Sequence, residues 1–332
     1  MVSPLYSFQG GGDGQYPSAK PVLGPDGTLY GVTLDGGDES CGVGDGCGTV
    51  YNLRPAASAC RSALCPWTET VLHRFTGGAD GASPLYVTLI FDPAGNLYGT
   101  ATSYGSGGYG VVFEMTPSQG SWTEIPLYSF TNGSDGLAPQ SGVIRDAAGN
   151  LYGTVPNEHN GAVYQLMPSG SGWVKNTIYT FAGGNDGSSP VGGLVADGAG
   201  NLYGTTTETY EGGGTVFKLK RQPDGTYLES VLHDFIERGV GSYASLTRDA
   251  AGNLYGTTYS DGAYGCGSVF ELVYSNDNFT FVSLHDFTCD ADGAYPSSDV
   301  TVDANGNLYG TTGNGGSGHQ YEGYGVVWEI TP

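Results

Sequence analysis

The sequence predicts an all-β fold, a six-bladed β-propeller whose blades are four-stranded antiparallel sheets. Its composition and a repeated segment predict this fold. Glycine makes up 59 of the 332 residues, about 18% against a usual share of roughly 7%. Charged residues account for only 13% and aromatic residues for 12%. The scarcity of charge excludes long surface helices, and glycine between aromatic segments is typical of short strands joined by tight turns.

The repeated segment is Asn-Leu-Tyr-Gly-Thr, which occurs five times without change. Thr28–Val32 is a sixth, degenerate copy. Successive copies lie 51 to 68 residues apart, and a period near 50 residues is typical of propeller blades. We therefore expect one domain, residues 1–332, with six blades. The tyrosines that mark the copies are Tyr30, Tyr98, Tyr152, Tyr203, Tyr255 and Tyr309.

Each repeat predicts four strands in a fixed order. In the fourth repeat the first strand is Leu194-Val195-Ala196, the turn is Asp197–Gly200, and the Leu-Tyr-Gly-Thr strand follows. Aspartate can accept backbone N–H bonds and glycine can take a positive φ, as a tight hairpin requires. The third strand carries Val-aromatic after a glycine-rich loop, and the fourth ends in phenylalanine. The aromatic residues of the six third strands are Tyr51, Phe113, Tyr164, Phe217, Phe270 and Trp328.

The chain ends predict how the propeller closes. The chain begins with a fourth strand, Leu5–Phe8, and stops after a third strand, Val326–Ile330. We expect the N-terminal strand to complete the last blade as its outer strand, because this pairing would cover the sheet edge that an open array exposes.

These motifs resemble the GloVer tandem repeat of bacterial surface proteins. The resemblance rests on Asp-x-x-Gly-Asn-Leu-Tyr-Gly-Thr, on the Val-aromatic strand after its glycine-rich loop, and on Phe-x-Gly-Gly-x-Asp-Gly-x-x-Pro. It covers nearly the whole chain. It implies export and frequent attachment to the cell envelope, but no common chemistry accompanies the repeat.

The charge balance limits the partners. Eleven basic and 33 acidic residues give a net charge of −22, which repels phosphate backbones and anionic lipid heads. We therefore expect no nucleic-acid partner. No apolar run approaches the roughly 18 residues that a membrane span needs, so we expect no membrane span in this chain.

The six cysteines form three close pairs that predict disulfides. Neither of the two shortest spacings is Cys-x-x-Cys, and no histidine lies at a zinc-finger distance. Six cysteines permit 15 pairings, of which we expect Cys41–Cys47, Cys60–Cys65 and Cys266–Cys289. Disulfides predict an extracellular, cell-surface or periplasmic location.

Loop lengths predict where a ligand would bind. Strand parity places the loops between second and third strands on the same face as the links between blades, and we call these the upper loops and the links. From the second-strand tyrosine to the third-strand aromatic, the six distances are 21, 15, 12, 14, 15 and 19 residues. The rim of blades six and one is therefore predicted to be raised, and tyrosines beside carboxylates suit sugar rings. The residues predicted to bind there are Tyr321, Tyr324, Glu322, His319, Asp38, Glu39, Asp45, Tyr16 and Tyr295.

The tyrosines, histidines and link aspartates also have interpretations that involve no ligand. Tyrosines such as Tyr104, Tyr109 and Tyr259 occur on other upper loops and can reflect composition alone. His73, His233 and His285 stand where other blades have tyrosine, which indicates packing, whereas His159 and His319 lie in upper loops. We expect no cofactor. The alternative is structural calcium bound by the link aspartates, but Asp-Gly-x-x-Pro is itself a turn signal. The link aspartates are Asp13, Asp80, Asp135, Asp186 and Asp292, with Val240 in the fifth link.

Three function classes remain open. A binding module for an extracellular glycan, or another neutral ligand, best fits an acidic, tyrosine-rich propeller. A polysaccharide-acting enzyme, either a glycoside hydrolase or a lyase, could use Glu39 or Asp45 against Glu322 as paired carboxylates, as glycoside hydrolysis needs. A structural surface or filament subunit would instead assemble ring to ring. The fold alone does not choose among the three.

Overall fold

Short strands and tight turns make up almost all of the described chain, whose longest strands have nine residues. The one helical element among these residues is a 3₁₀ turn, Gly11–Asp13. The computed structural model describes residues 5–41, 45–55, 67–156, 160–170, 172–209, 212–235, 240–316 and 325–331.

The strands form six four-stranded antiparallel sheets, which are the blades of a six-bladed β-propeller and confirm the predicted fold class. Blade one contains β1 (Val22–Leu23), β2 (Leu29–Thr33), β3 (Thr49–Arg54) and β4 (Thr68–Arg74). Blade two contains β5 (Ile90–Phe91), β6 (Leu97–Ala101), β7 (Val111–Ser118) and β8 (Ser121–Ser129). Blade three contains β9 (Ile144–Arg145), β10 (Leu151–Val155), β11 (Ala162–Ser169) and β12 (Gly172–Thr180).

The remaining blades repeat this pattern. Blade four contains β13 (Val195–Ala196), β14 (Leu202–Thr205), β15 (Thr215–Arg221) and β16 (Tyr227–Asp234). Blade five contains β17 (Thr247–Arg248), β18 (Leu254–Thr258), β19 (Ser268–Ser275) and β20 (Asn278–Asp286). Blade six contains β21 (Ala294–Pro296), β22 (Thr301–Val302), β23 (Leu308–Asn314) and β24 (Val327–Ile330).

The chain divides into two compact units. Residues 1–151 and 166–175 form one, and residues 152–165 and 176–332 form the other. The first unit contains the sheets of blades one and two, the second those of blades four, five and six, and blade three contributes residues to both. The single domain expected from the sequence stays a prediction.

The glycine of each Leu-Tyr-Gly-Thr strand makes room for an aromatic ring. A Cβ on Gly204 would lie 2.6 Å from Cζ of Phe217, and one on Gly256 would lie 2.5 Å from Cζ of Phe270. Because no real side chain tolerates such contacts, the glycine and the ring of the third strand specify each other. The glycine therefore recurs because the second and third strands of each blade pack closely at this position.

The core continues from one blade to the next through phenylalanine. Phe75, which follows β4, is fully buried and lies 5.4 Å, centroid to centroid, from Phe113 of blade two. Phe235 lies 5.3 Å from Phe270 in the same relation between blades four and five. Tilted and edge-to-face pairs of this kind add to the free energy gained by burial alone. The phenylalanine that ends a fourth strand thus anchors that strand to the following blade.

Blade six reaches four strands in a way that the sequence did not predict. Its additional strand is β21, in the link that enters the blade, which pairs with the C-terminal end of β23 through Ala294↔Asn314. β23 reaches the link because it has seven residues, whereas β18 has five. In blades one, two and four the same contact is a single bridge, for example Ala82↔Ser103.

The N-terminal segment has the contacts of a fourth strand without being one. Residues 5–8 form no strand, yet the Tyr6 hydroxyl donates to Asp13 at 2.9 Å and the Phe8 ring lies 4.9 Å from Tyr51. Tyr128 and Asp135 make the same hydrogen bond after blade two. The pairing of this segment with β24 stays a prediction.

Candidate functional site

The link aspartates stabilise turns. Asp80 accepts hydrogen bonds from the Thr76 amide at 2.8 Å, the Thr76 hydroxyl at 2.6 Å and the His73 ring at 3.1 Å. His285 and Asp292 make the equivalent contact at 3.0 Å. In the described residues, no three His, Cys, Asp or Glu side chains are grouped as a metal site would require. In both cases the histidine near the end of a fourth strand is hydrogen-bonded to the aspartate of the following link.

The blade-one part of the predicted rim is polar and accessible. Tyr16 is 63% exposed and has a left-handed backbone, φ +55°, before Pro17. Asp38 accepts the Ser40 hydroxyl at 2.6 Å and its amide at 2.9 Å, and these bonds lower the pKa of Asp38. Glu39 and Asp45 are exposed. These groups can receive hydroxyl hydrogen bonds, but they do not line either of the cavities described below.

The blade-six part of the rim lies mostly outside the described residues, which exclude His319, Tyr321, Glu322 and Tyr324. The proposed carboxylate pairing with Glu322 is therefore untested, as is a role for His159. The fifth residue predicted for this blade, Tyr295, is described.

Tyr295 packs against blade five. Its ring stacks on Tyr259 at 5.1 Å and 27°, and Tyr243 meets Tyr259 edge-on at 5.1 Å. All three rings are half-buried. Tyr295 thus belongs to a tyrosine cluster that also includes Tyr259, a residue for which the sequence suggested only composition.

A cavity of about 210 Å³ lies on the upper side of blade two. Tyr104 and Tyr109, at 39% and 42% exposure, stand on it. The Tyr104 carbonyl accepts the Gly110 amide at 2.7 Å, and the Tyr109 carbonyl accepts the Ala138 amide at 2.8 Å. The first bond closes the upper loop, and the second joins this loop to the following link. We call this the blade-two pocket, lined by Thr102, Ser103, Tyr104, Gly108, Tyr109, Leu137 and Ala138.

Small side chains open the blade-two pocket. In the aligned repeats, Thr102 corresponds to Tyr259 and Ala138 to Tyr295. In blade five those two tyrosines stack on each other, whereas threonine and alanine leave the same place empty in blade two. Loop length gave no sign of this pocket. Aligning the repeats could have found it. The alignment shows small residues at the positions of Tyr259 and Tyr295, close to Tyr104 and Tyr109.

A second cavity, about 320 Å³, lies beside β24 in blade six. Val327 on this strand is 72% exposed. The cavity lies along β24, beside which the sequence predicts an outer strand. Its lining consists of His285, Phe287, Ala291, Asp292, Val326, Val327, Trp328, Glu329 and Ile330.

Two of the three predicted disulfides are confirmed. Cys41–Cys47 and Cys266–Cys289 are bonded, with Cα atoms 6.0 and 5.4 Å apart. The second joins the upper loop of blade five to the following link, which confirms that loop and link share a face. Cys60 and Cys65 lie outside the described residues.

Six four-stranded blades, five with Leu-Tyr-Gly-Thr and the first with Leu-Tyr-Gly-Val, define a repeat-built β-propeller. The model of the Gloeobacter/Verrucomicrobia repeat family matches residues 1–208 and 156–332. The chain belongs to this family, which confirms the resemblance drawn from its motifs. No functionally curated protein matches the sequence.

Solved structures share the fold at low identity. A candidate glucose dehydrogenase from Thermus thermophilus is 14% identical, with 97% of this chain and 98% of that one covered and a TM-score of 0.51. A candidate 6-phosphogluconolactonase from Bacteroides uniformis is 14% identical over 95% and 88%, with a TM-score of 0.54. A sialidase from Trypanosoma rangeli, solved with the inhibitor DANA, is 10% identical over 93% and 53%, with a TM-score of 0.54. These likenesses concern the fold. Within the described chain, no helix has the length and apolar character needed to span a bilayer.

Proposed function

We propose that this protein is an exported binding module that recognises a neutral saccharide, and that the blade-two pocket receives one sugar ring. The observation that carries this proposal is the pocket itself, a concave space next to two exposed tyrosines with the hydroxyl-bearing residues Thr102 and Ser103 in its lining. Aromatic faces accept the C–H surface of a sugar while hydroxyls satisfy its polar edge.

The size and lining of the pocket favour binding over hydrolysis. At about 210 Å³ it is smaller than the roughly 300–1,000 Å³ typical of sites for larger ligands, which fits one ring of a longer chain. Its described lining contains no Asp, Glu or His, whereas glycoside hydrolysis generally needs two carboxyl groups. Retention of a glycan is therefore better supported than its cleavage.

Charge and disulfides support the chemistry and the location. A net charge of −22 disfavours anionic polysaccharides and leaves neutral or weakly cationic glycans as ligands. The two disulfides of the described chain persist in oxidising compartments outside the cytosol. An extracellular, cell-surface or periplasmic location is part of the proposal.

The proposal is tested by two double variants of the purified protein. After a glycan array has identified a ligand, Tyr104→Ala with Tyr109→Ala should weaken binding by about 10- to 100-fold, since stacking of one or two side chains contributes roughly 1–3 kcal/mol. Tyr321→Ala with Tyr324→Ala tests the predicted rim of blades six and one in the same titration calorimetry experiment.

The control pair is Tyr104→Phe with Tyr109→Phe, which keeps the rings and should retain most of the affinity. Loss only in the Tyr321/Tyr324 variant would move the site to the predicted rim. Equal losses in both Ala variants would indicate a diffuse sticky surface. Absence of binding to any glycan would favour the structural-subunit alternative.

A further inference from the structure

Glu124 faces the preceding blade. Along β8 the half-buried residues Trp122 and Glu124 alternate with exposed Thr123 and Ile125, so the first two share one side of the strand. The Trp122 ring lies 5.9 Å from Tyr30 of blade one. The side chain of Glu124, two residues further on, is therefore directed at blade one as well.

The corresponding position in blade five shows what Glu124 meets. There the residue is Phe281, which stacks on His233 of blade four at 3.7 Å and 5°. His73 is the blade-one counterpart of His233, and it is bonded to Asp80 at 3.1 Å. In blade four the counterpart of Asp80 is Val240. Glu124 therefore faces the His73–Asp80 pair. The link between blades four and five, which has Val240 instead of aspartate, faces Phe281 instead of glutamate.

The arrangement recurs at three places where the fourth strand of a blade faces the link that enters the same blade. We define the interblade carboxyl pairs as Glu69 with Asp13, Glu124 with Asp80, and Glu229 with Asp186. In each pair the glutamate Oε1 is buried and has no hydrogen-bond partner among the described residues. Two carboxylates at one contact repel each other, so one of them retains its proton more tightly than in water.

The glutamate is the member that holds the proton. Burial first, and Asp80 second, raise the pKa of Glu124 from 4.5 to about 8. Burial also opposes ionisation of Asp80, but hydrogen bonds from His73 and Thr76 outweigh it and lower the pKa of Asp80. Asp80, together with the His73 bonded to it, is the titratable group that faces Glu124.

The pKa of the glutamate is raised in the other two pairs as well. Burial and then Asp13 raise the pKa of Glu69 to about 7, against the effect of Arg74, and the neighbouring phenols are those of Tyr6 and Tyr51. Burial and then Asp186 raise the pKa of Glu229, next to the phenol of Tyr179.

We propose that the interblade carboxyl pairs are a pH-sensitive device built into the fold, which holds successive blades together while the glutamate is protonated and loosens their contact when it ionises. The sign follows from proton linkage. A folded pKa above the unfolded value means that the stabilisation is complete below about pH 4.5 and is lost as pH rises to about 8. Acid down to pH 4.5 therefore tightens the propeller.

The test compares melting temperatures between pH 5 and pH 9 for the full chain and for Glu124→Gln. The wild-type melting temperature should fall as pH rises, and Glu124→Gln should fall less, so the difference between them grows toward pH 8. After correction for the intrinsic rise of amide exchange with pH, the amides of β8 should lose protection over the same range in the wild type only. Glu39→Gln, at an exposed position, is the control and should follow the wild type.

A second variant keeps the test decisive if Glu124→Gln folds poorly. Asp80→Val with Glu124→Phe copies the Val240 and Phe281 pair of blade five and should also flatten the pH profile. Parallel profiles for wild type and both variants would overturn the proposal. So would a flattening in Glu39→Gln as large as that in Glu124→Gln, since the slope would then report only net charge.

Discussion

Asp197 begins the turn between β13 and β14, and its replacement by alanine should destabilise the protein. Its carboxylate accepts four hydrogen bonds: from the Ala199 amide at 2.9 Å, the Asn201 amide at 3.0 Å, the Asn201 side chain at 2.7 Å and the Tyr203 hydroxyl at 2.9 Å. Tyr203 is only 3% exposed. The variant therefore removes every one of these acceptors and leaves a nearly buried phenol without this partner.

The expected loss follows from the number of bonds. A hydrogen bond contributes about 0.5–1.5 kcal/mol net, and an unsatisfied buried donor costs about 1–3 kcal/mol. Because Asp197 is itself partly exposed, water replaces some of the lost acceptors, and we expect roughly 2–4 kcal/mol in total. For a protein of 332 residues that corresponds to a fall in melting temperature of about 3–6 °C.

The measurement is thermal unfolding of Asp197→Ala at several pH values, with Asp224→Ala as the matched control. Asp224 also lies in a hairpin turn, as its third residue, but it is exposed and its side chain bonds to Thr226, so its variant should melt close to the wild type. Burial opposes ionisation of Asp197, but the hydrogen bonds from Asn201, Tyr203 and Ala199 outweigh it and lower the pKa below 3.8. The stabilisation is therefore present above pH 3.8 and lost as pH falls through the folded pKa. Equal melting temperatures for the two variants at pH 7 would refute this reasoning.

Two further variants test the blade design. Deleting residues 1–10 should lower the melting temperature sharply or cause aggregation, because the predicted closing strand would no longer cover the edge of blade six; an unchanged melting curve in differential scanning calorimetry would contradict closure by this segment. Gly204→Ala should destabilise by about 1–3 kcal/mol in denaturant unfolding, since its Cβ would overlap the aromatic ring of the third strand. Gly198→Ala is the control, with nothing within 4 Å of the added atom, and equal losses would show that steric overlap is not the cause.

The blade count and the positions of the strands that recur in every repeat could be predicted from the sequence, because every repeat carries the same local chemistry. The strand predicted at residues 5–8 and the unpredicted β21 lie where blade six departs from that repeat. Asp197 accepts hydrogen bonds within its own turn, and Gly204 gives way to a ring only 13 positions later. Such contacts form between residues close in sequence, so the pattern of residue types specifies them. The two confirmed disulfides, six and 23 residues apart, belong to the same class.

The candidate site depended on tertiary structure. Loop length drew attention to the rim of blades six and one, but a cavity arises from the volumes of side chains that different segments bring together. Thr102 and Ala138 are 36 positions apart in the chain and are small in a place that two stacked tyrosines fill in blade five. The pocket between them exists only because the fold brings the two segments together.

The sequence by itself determined an acidic, disulfide-bonded, six-bladed propeller, because repetition, turn residues and charge are properties of the chain. Only the tertiary structure decided which tyrosines stand beside a cavity and which carboxyls meet across blades. Glu124 and Asp80 lie 44 positions apart, and nothing in either local sequence shows that they face each other. Burial of Glu124 and the charge of Asp80 raise the pKa of Glu124, an effect that arises only in the folded chain.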